Sequence, residues 1–300
     1  MSRLERYLKL SKKHRLALVL LLPSLAFVVA FTYYPILFGM WMTFFDFFHR
    51  PITDPVYVGL SNYQQVFTDD VFWLSLRNST IWVAASVTVT FLVGFGVALL
   101  LNEKIGPLRT LFRGLMLIPW ATPVLVSGLV WRLIYSRDWG ILNETLLNIG
   151  AISTPIAFLS DRTVVWPAIL LFFVWSRFPF VSLSILAALQ SIPASLREAA
   201  LVDGANTFQR FRHVIIPGVE PTIVTILLLT TIWGFNDFGA IYTMTSGGPA
   251  HFTEILPTLA YGYTKGYGLG NYGRASVVSL VLFLLTFSVG IFYIKRVVRD

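Results

Sequence analysis

Six long apolar stretches, each holding at most one charged side chain, constrain this 300-residue sequence more than any other feature. They lie at about residues 16–38, 79–101, 114–135, 164–189, 222–243 and 275–294. A helix that crosses the hydrocarbon core of a bilayer needs about 20 apolar residues, and every stretch reaches that length. The sequence therefore predicts an all-α, polytopic membrane protein with six transmembrane helices, forming a single domain over residues 1–300.

The composition argues against an ordinary soluble globule. Hydrophobic residues make up 56% of the chain and charged residues 13%, whereas soluble domains average roughly 45–50% and about 25%. The apolar excess must therefore face a lipid bilayer. The chain has no cysteine, which excludes a disulfide scaffold, a thiolate metal site and a cysteine nucleophile.

Prolines indicate bends in two of the predicted spans. The first stretch is longer than a signal-peptide core and lacks a clear cleavage site, so we interpret it as a retained helix. Pro23 and Pro35 favour kinks within it. Pro119 and Pro123 predict a distortion of the third span, where neighbouring helices would have to satisfy the freed carbonyl groups.

Lysine and arginine residues are distributed unequally between the two sides of the predicted bundle. The termini and the loops on their side carry 15 of them, and the opposite loops carry 7. Positive residues concentrate on the cytoplasmic side, so we expect both termini to be cytoplasmic in a multi-pass protein of the cell (inner) membrane. Topology thus explains the net charge of +8, and nucleic acid is not an expected partner.

Features of an intramembrane enzyme or an ATPase are missing from the sequence. It contains neither an H-E-x-x-H zinc pair nor a G-x-x-x-x-G-K-[ST] phosphate loop. Gly94 and Gly96 lie inside an apolar span, where small residues at a helix contact explain them better than a nucleotide site. We therefore expect no catalytic residue, no metal and no cofactor in this chain. All four histidines fall outside the predicted spans: His14, His49, His213 and His251.

The loop of residues 190–221, on the predicted cytoplasmic side, has helical signals of its own. Ser195 and Glu198 fit the S-x-x-E capping box at the start of a short helix, and Gly204 is a typical helix stop. The surface of this helix carries very small side chains, which allow another protein to approach closely. A helix that lies on the membrane surface is the alternative. The small residues are Ala199, Ala200, Gly204 and Ala205.

A second short helix is predicted to begin near Thr207. Phe208, Phe211 and Ile215 recur at helical spacing and give it one apolar face. We expect Phe208 and Phe211 to hold this helix against the rest of the protein, and Pro217 to end it.

Together, Glu198-Ala199-Ala200, Asp203-Gly204-Ala205, Phe208 and Pro217 closely resemble the EAA loop of ABC importer permeases. The family pattern reads approximately E-A-A-x-x-D-G-A and lies on the cytoplasmic connection before the last two spans. In that family the short helix is the coupling helix, which docks into a cleft on the ATPase subunit. The resemblance thus implies a type I importer permease fold. The ATPase-coupling residues that it implies are Ser195, Glu198, Ala199, Ala200, Asp203, Gly204, Ala205, Phe208 and Phe211.

Other segments resemble the carbohydrate-type subfamily, which includes maltose and glycerol-3-phosphate permease subunits. Trp175, Pro179 and residues 187–193 are similar to its fourth span, and residues 245–249 are similar to a G-G-P segment in one of its two permease partners. An ordinary turn is the alternative for the G-G-P segment. Residues 272–276 resemble the approach to the sixth span, although Arg274 replaces a small or apolar residue.

Polar groups at membrane depth are the candidates for a solute pathway, because such residues are expensive to bury. Asn236 and Asp237 lie in the fifth span, and Arg177 in the fourth is the expected partner of Asp237. A purely structural ion pair is the alternative. Aromatic rings suit the apolar faces of sugars, although packing or interfacial anchoring explains any single ring as well. The aromatic candidates are Trp82, Trp120, Trp175, Trp233 and Tyr242.

The sequence thus predicts one permease subunit of an ATP-driven importer for a sugar, oligosaccharide or polyol derivative, working by alternating access. The resemblance implies as partners two ATPase subunits that bind ATP and Mg²⁺, a second, non-identical permease subunit, and an extracytoplasmic solute-binding protein. Three alternatives stay open: an ABC permease for an amino acid or polyamine, an ion-coupled secondary transporter, and a structural membrane scaffold.

Overall fold

The computed structural model describes residues 12–47, 54–103, 108–266 and 270–297. The predicted cytoplasmic termini, residues 1–11 and 298–300, lie outside the described residues, as does His49. The α-helices are α1 (Lys12–Val28), α2 (Tyr34–Met42), α3 (Ser61–Phe67), α4 (Asp70–Asn102), α5 (Leu108–Ala121), α6 (Val124–Ile134), α7 (Ile141–Asn148), α8 (Val165–Ser191), α9 (Ala194–Val202), α10 (Thr207–Arg210), α11 (Ile216–Phe235), α12 (Phe238–Thr245), α13 (Leu256–Tyr261) and α14 (Tyr272–Val297).

Three π-helical turns and one small hairpin complete the described secondary structure. The hairpin pairs β1 (Phe45–Asp46) with β2 (Val56–Tyr57) in an antiparallel register, with Phe45 opposite Tyr57. It is a minor exception to the predicted all-α fold. The π turns span Val29–Tyr33, Phe211–Ile215 and Gly262–Gly266.

The six predicted spans are present when one bent helix pair counts as a single span. Five stretches are long and apolar enough to cross a membrane: Val19–Met42, Asp70–Asn102, Val165–Ser191, Thr207–Phe235 and Tyr272–Lys295. The third span is the pair Thr110–Ala121 and Val124–Ile134, whose axes differ by 95°. This break at Thr122 and Pro123 confirms the predicted distortion. Pro123 has no N–H to continue the preceding helix and is the N-cap of the helix that follows.

The prediction that Pro217 ends the second short helix is wrong. The chain continues from α10 through the π turn Phe211–Ile215 into α11, with Pro217 as the second residue of α11. The N–H of Ile216 donates to the carbonyl of Phe211, five residues back. The hydrogen bonds just before the proline therefore follow the π-helical pattern instead of the α-helical one. Pro35 follows the π turn Val29–Tyr33 in the same way. A π turn therefore lets each proline enter a continuous helix.

Two long helices, α4 and α8, form the centre of the bundle. A side chain at Gly94 would place its Cβ 2.6 Å from the Cβ of Val181, so only glycine permits this helix contact. Gly96 faces open space. The interpretation of small residues at a helix contact is therefore confirmed for Gly94 and wrong for Gly96.

The first span contributes little to this centre. Every side chain of residues 19–37 is exposed, so its apolar surface is available to lipid. Helix α4, in contrast, begins nine residues before the predicted start of the second span. The Asp69 carboxylate accepts a hydrogen bond from the N–H of Val71 at 2.9 Å and caps this early start.

Candidate coupling loop and translocation site

Helix α9 begins two residues earlier than the capping box requires. Its N-cap is Pro193, which supplies no side-chain hydrogen bond, and Ser195 lies inside the first turn. A capping serine must precede the helix to reach the free amide groups, so the predicted capping roles of Ser195 and Glu198 are wrong. The structure places a capping box one helix later, where Asn206 and Gln209 satisfy each other's backbone N–H groups at the start of α10.

The predicted helix stop at Gly204 is confirmed. Gly204 has a φ of +74°, in the left-handed region that favours glycine. The N–H of Ala205 donates to the carbonyl of Ala200 at 2.9 Å, and the N–H of Gly204 donates to Leu201 at 3.1 Å. These two bonds are those of a Schellman motif, which satisfies the last carbonyls of α9 and reverses the chain into α10.

The two short helices enclose an open groove of about 460 Å³. Ala199, Ala200, Asp203 and Ala205 line it, so the small-residue surface is accessible as expected. Beside it, two large apolar side chains face outward: Leu201 is 55% exposed and Val202 is 87% exposed. Sequence reasoning did not single out these two residues. Two consecutive apolar residues in the last turn before a glycine stop would have indicated an exposed apolar contact surface.

Phe208 and Phe211 have different environments. Phe211 packs edge-on against Phe95 of α4, with ring centroids 6.1 Å apart, as predicted. Phe208 is 67% exposed, so the expectation that it holds the helix against the core is wrong. The π turn begins at Phe211, so the α-helical spacing on which the shared face with Ile215 was predicted does not continue beyond it.

At membrane depth, the predicted partners Arg177 and Asp237 face each other. The guanidinium Nη2 lies 4.0 Å from Oδ1 of Asp237, whose side chain is buried. Asp237 sits where the fifth span breaks, between α11 and α12, and the same Oδ1 accepts a bond from the N–H of Ala240. Oδ2 has no partner within the described part of the chain. The neighbouring Asn236 is exposed and donates to the carbonyl of Ile232.

Three of the predicted aromatic residues pack against Phe173 or Phe180, two rings that lie beside Arg177. Trp82 is buried and packs 5.2 Å from Phe173, whose ring lies under the Arg177 guanidinium at 5.6 Å. Trp120 and Trp233 both pack against one ring, Phe180, with centroid distances of 6.1 and 5.0 Å respectively. Together with Arg177, several of these rings line a crevice of only about 10 Å³.

Two further candidates belong to other aromatic clusters. Trp175 packs against Trp131 of the bent span, with ring centroids 5.5 Å apart. Tyr242 stacks on Phe238 at 4.6 Å and meets Tyr261 edge-on at 5.0 Å. The structure therefore divides the predicted aromatic set into three groups.

Comparison with known proteins identifies the family. The family described as "Binding-protein-dependent transport system inner membrane component" matches residues 91–299. The chain belongs to this family. The permease is also 35% identical to the trehalose/maltose transport system permease protein MalF of Thermococcus litoralis, over 95% of this chain and 94% of that protein. This membership confirms the resemblance on which the coupling loop was predicted.

Solved structures confirm the fold of the permease. The crystal structure of a bacterial ABC transporter that imports the acidic polysaccharide alginate matches with a TM-score of 0.83 at 22% identity, over 99% of both chains. A structure of the bacterial alginate transporter in complex with an alginate pentasaccharide-bound periplasmic protein matches with a TM-score of 0.80 at 22% identity, over 94% and 93% of the chains.

A stripe of polar side chains on α4 of the permease was not predicted from the sequence. Asn78 donates to the carbonyls of Phe252 and Glu254, and the hydroxyl of Ser79 accepts the N–H of Leu256. These bonds fasten the loop that follows the G-G-P segment. The stripe repeats at roughly helical spacing, which is the signal that would have found it. Its buried members are Ser75, Asn78, Ser79, Ser86 and Thr90.

Proposed function

We propose that this permease is one membrane subunit of an ATP-driven importer and forms half of the pathway for a sugar, oligosaccharide or polyol derivative. The observation that carries the proposal is the exposed helix–turn–helix of α9 and α10, which presents the EAA-type sequence on a fixed Schellman turn. The trehalose/maltose relative supports a sugar rather than an amino acid or polyamine. Family membership supports ATP-driven import over ion-coupled transport.

In this proposal, α9 is the coupling helix and faces the cytoplasm, as do both chain termini. Ala199 and Ala200 allow a cleft on an ATPase subunit to close around the helix, while Leu201 and Val202 lose their exposed apolar surface in the contact. Two ATPase subunits bind ATP and Mg²⁺. This permease pairs with a second, non-identical one, and a solute-binding protein delivers solute from outside, as the complex of the alginate transporter supports.

The pathway in this proposal passes the Arg177–Asp237 pair. The crevice beside Arg177, about 10 Å³, holds roughly one water molecule, so a sugar passes only when the subunits separate. Two buried oxygens near it lack partners in the described chain, Asp237 Oδ2 and Thr90 Oγ1. Each unpaired buried group costs about 1–3 kcal/mol, and sugar hydroxyls would relieve that cost. The rings of Trp82, Trp120 and Trp233 then supply apolar faces for the sugar ring.

Reconstituted transport tests the proposal. The permease, its partner permease and ATPase subunits are inserted in proteoliposomes, and uptake of labelled trehalose or maltose is followed with the solute-binding protein outside and ATP inside. We expect uptake that stops without ATP or without the binding protein. Uptake driven by an ion gradient without ATP would refute ATP coupling. Uptake of amino acids or polyamines, with none of any sugar tested, would refute the substrate class.

A further inference from the structure

A second cavity, separate from the crevice, opens on the outer flank of α4 and α8. It has a volume of about 410 Å³, within the range of roughly 300–1,000 Å³ typical of ligand sites. Ile81, Ala85, Trp166 and Leu170 are among the apolar residues that line it. Ile81 is 57% exposed, so the cavity faces outward from the bundle rather than into its core. Its occupant therefore enters from the side of the protein.

Polar groups line only one end of this cavity. Arg77 lines it directly, and the guanidinium of Arg162 lies 5.3 Å above the ring of Phe252, another wall residue. Both arginines stand at the same end of their spans, since Arg77 precedes the uncharged run of α4 and Arg162 precedes the start of α8. Two cations thus flank the mouth at the level where lipid headgroups begin.

The buried hydrogen-bonding groups of the cavity favour one kind of ligand. The indole Nε1 of Trp82 is a buried donor with no partner in the described chain. The amide N–H groups of Asn78 are already used by the carbonyls of Phe252 and Glu254. Because the Trp82 Nε1 is buried and the Asn78 amide is already used, the donor that the described lining offers is the Arg77 guanidinium at one end, with mostly apolar surface elsewhere. A polyol, with hydroxyl groups on all sides, would leave most of its hydrogen bonds unmade.

We propose that this cavity binds one membrane phospholipid. An acyl chain lies along the apolar wall, and the phosphate lies between Arg77 and Arg162. Guanidinium groups bind phosphate oxygens in paired, charge-assisted hydrogen bonds. The predicted topology places both arginines on the side opposite the termini, so this lipid belongs to the outer leaflet. The lipid site is independent of the solute that the permease transports.

Retention of phosphatidylglycerol tests the lipid site. The assembled complex is purified from nanodiscs that contain phosphatidylglycerol and phosphatidylcholine, and native mass spectrometry counts the lipid that stays bound. Arg77→Gln removes the exposed cation, and Ala85→Leu fills the cavity. Arg132→Gln is the matched control, because Arg132 is an exposed arginine at the end of another span. We expect one retained phosphatidylglycerol in the wild type and about tenfold less in the first two variants.

Several results would overturn the lipid site. Equal retention in the wild type and Arg77→Gln would exclude the phosphate contact, and an equal loss in Arg132→Gln would show only a general effect of surface charge. Because Arg77 is exposed, Arg77→Gln tests the proposal even where Ala85→Leu fails to fold. Inorganic phosphate bound without any lipid would also contradict it. A disulfide between Ile81→Cys and a cysteine in the second permease subunit would show that protein fills the groove.

Discussion

The turn at Gly204 offers the sharpest test of the coupling loop. A Cβ at this position would meet no atom within 4 Å, so Gly204→Ala introduces no clash. It does place an L-residue at a φ of +74°, which costs about 1–2 kcal/mol. This cost shifts the balance between the ordered Schellman turn and a frayed helix end by about 5- to 30-fold. We expect normal membrane insertion but weaker stimulation of ATP hydrolysis by solute and binding protein, measured in proteoliposomes.

Two variants separate backbone strain from the loss of glycine itself. Gly204→Asn should retain most of the coupling, since asparagine tolerates the left-handed region better than alanine does. Gly96→Ala, at a helical glycine that also faces open space, should leave coupling unchanged and should not lower stability, since alanine is the better helix former. Stimulated ATP hydrolysis at the wild-type level in Gly204→Ala would refute the claim that this turn transmits force. An equal defect in Gly96→Ala would point to a general effect of alanine substitution.

Three further substitutions address docking, packing and the pathway. Ala199→Arg should leave the complex assembled in detergent but abolish ATP-driven uptake, because the long side chain blocks the small-residue surface; wild-type uptake would contradict the docking role. Gly94→Val should lower the free energy of unfolding by about 1–3 kcal/mol, seen as a lower midpoint in tryptophan-monitored melting, since its side chain overlaps Val181. Asp237→Ala should weaken the apparent affinity for solute. It should also lower the free energy of unfolding by about 1–3 kcal/mol; the loss stays this small because Arg177 is partly exposed. Adding Arg177→Met should restore stability but not affinity; recovery of both would show that the pair is only structural.

The spans were predictable because hydrocarbon thickness imposes a minimum length on every apolar run. Their internal breaks were only partly predictable. Pro123 correctly marked the 95° bend, whereas Pro217 was read as a stop although it continues a helix. The difference lies in the π turn before Pro217, which depends on backbone bonding that no residue pattern encodes. The early start of α4 required the Asp69 cap, ten residues before the apolar run.

The coupling loop and the pathway were likewise predictable only in part. Gly204 was predictable because a left-handed turn strongly selects glycine, and the Arg177–Asp237 pair because charges at membrane depth need partners. The cap at Ser195 was wrong because a helix can begin at Pro193 without a side-chain cap. Thr90 was missed because a single hydroxyl in an apolar helix usually bonds to its own backbone.

Site-specific crosslinking from α9 tests the central claim most directly. The natural chain has no cysteine, so Ala199→Cys carries a single thiol, and a thiol-directed photocrosslinker there reports what surrounds the helix in the assembled transporter. The account predicts a crosslink to the ATP-hydrolysing subunit whose yield changes between the ATP-bound and nucleotide-free states. Crosslinks to lipid or to the solute-binding protein alone, with the ATPase present and active, would contradict it.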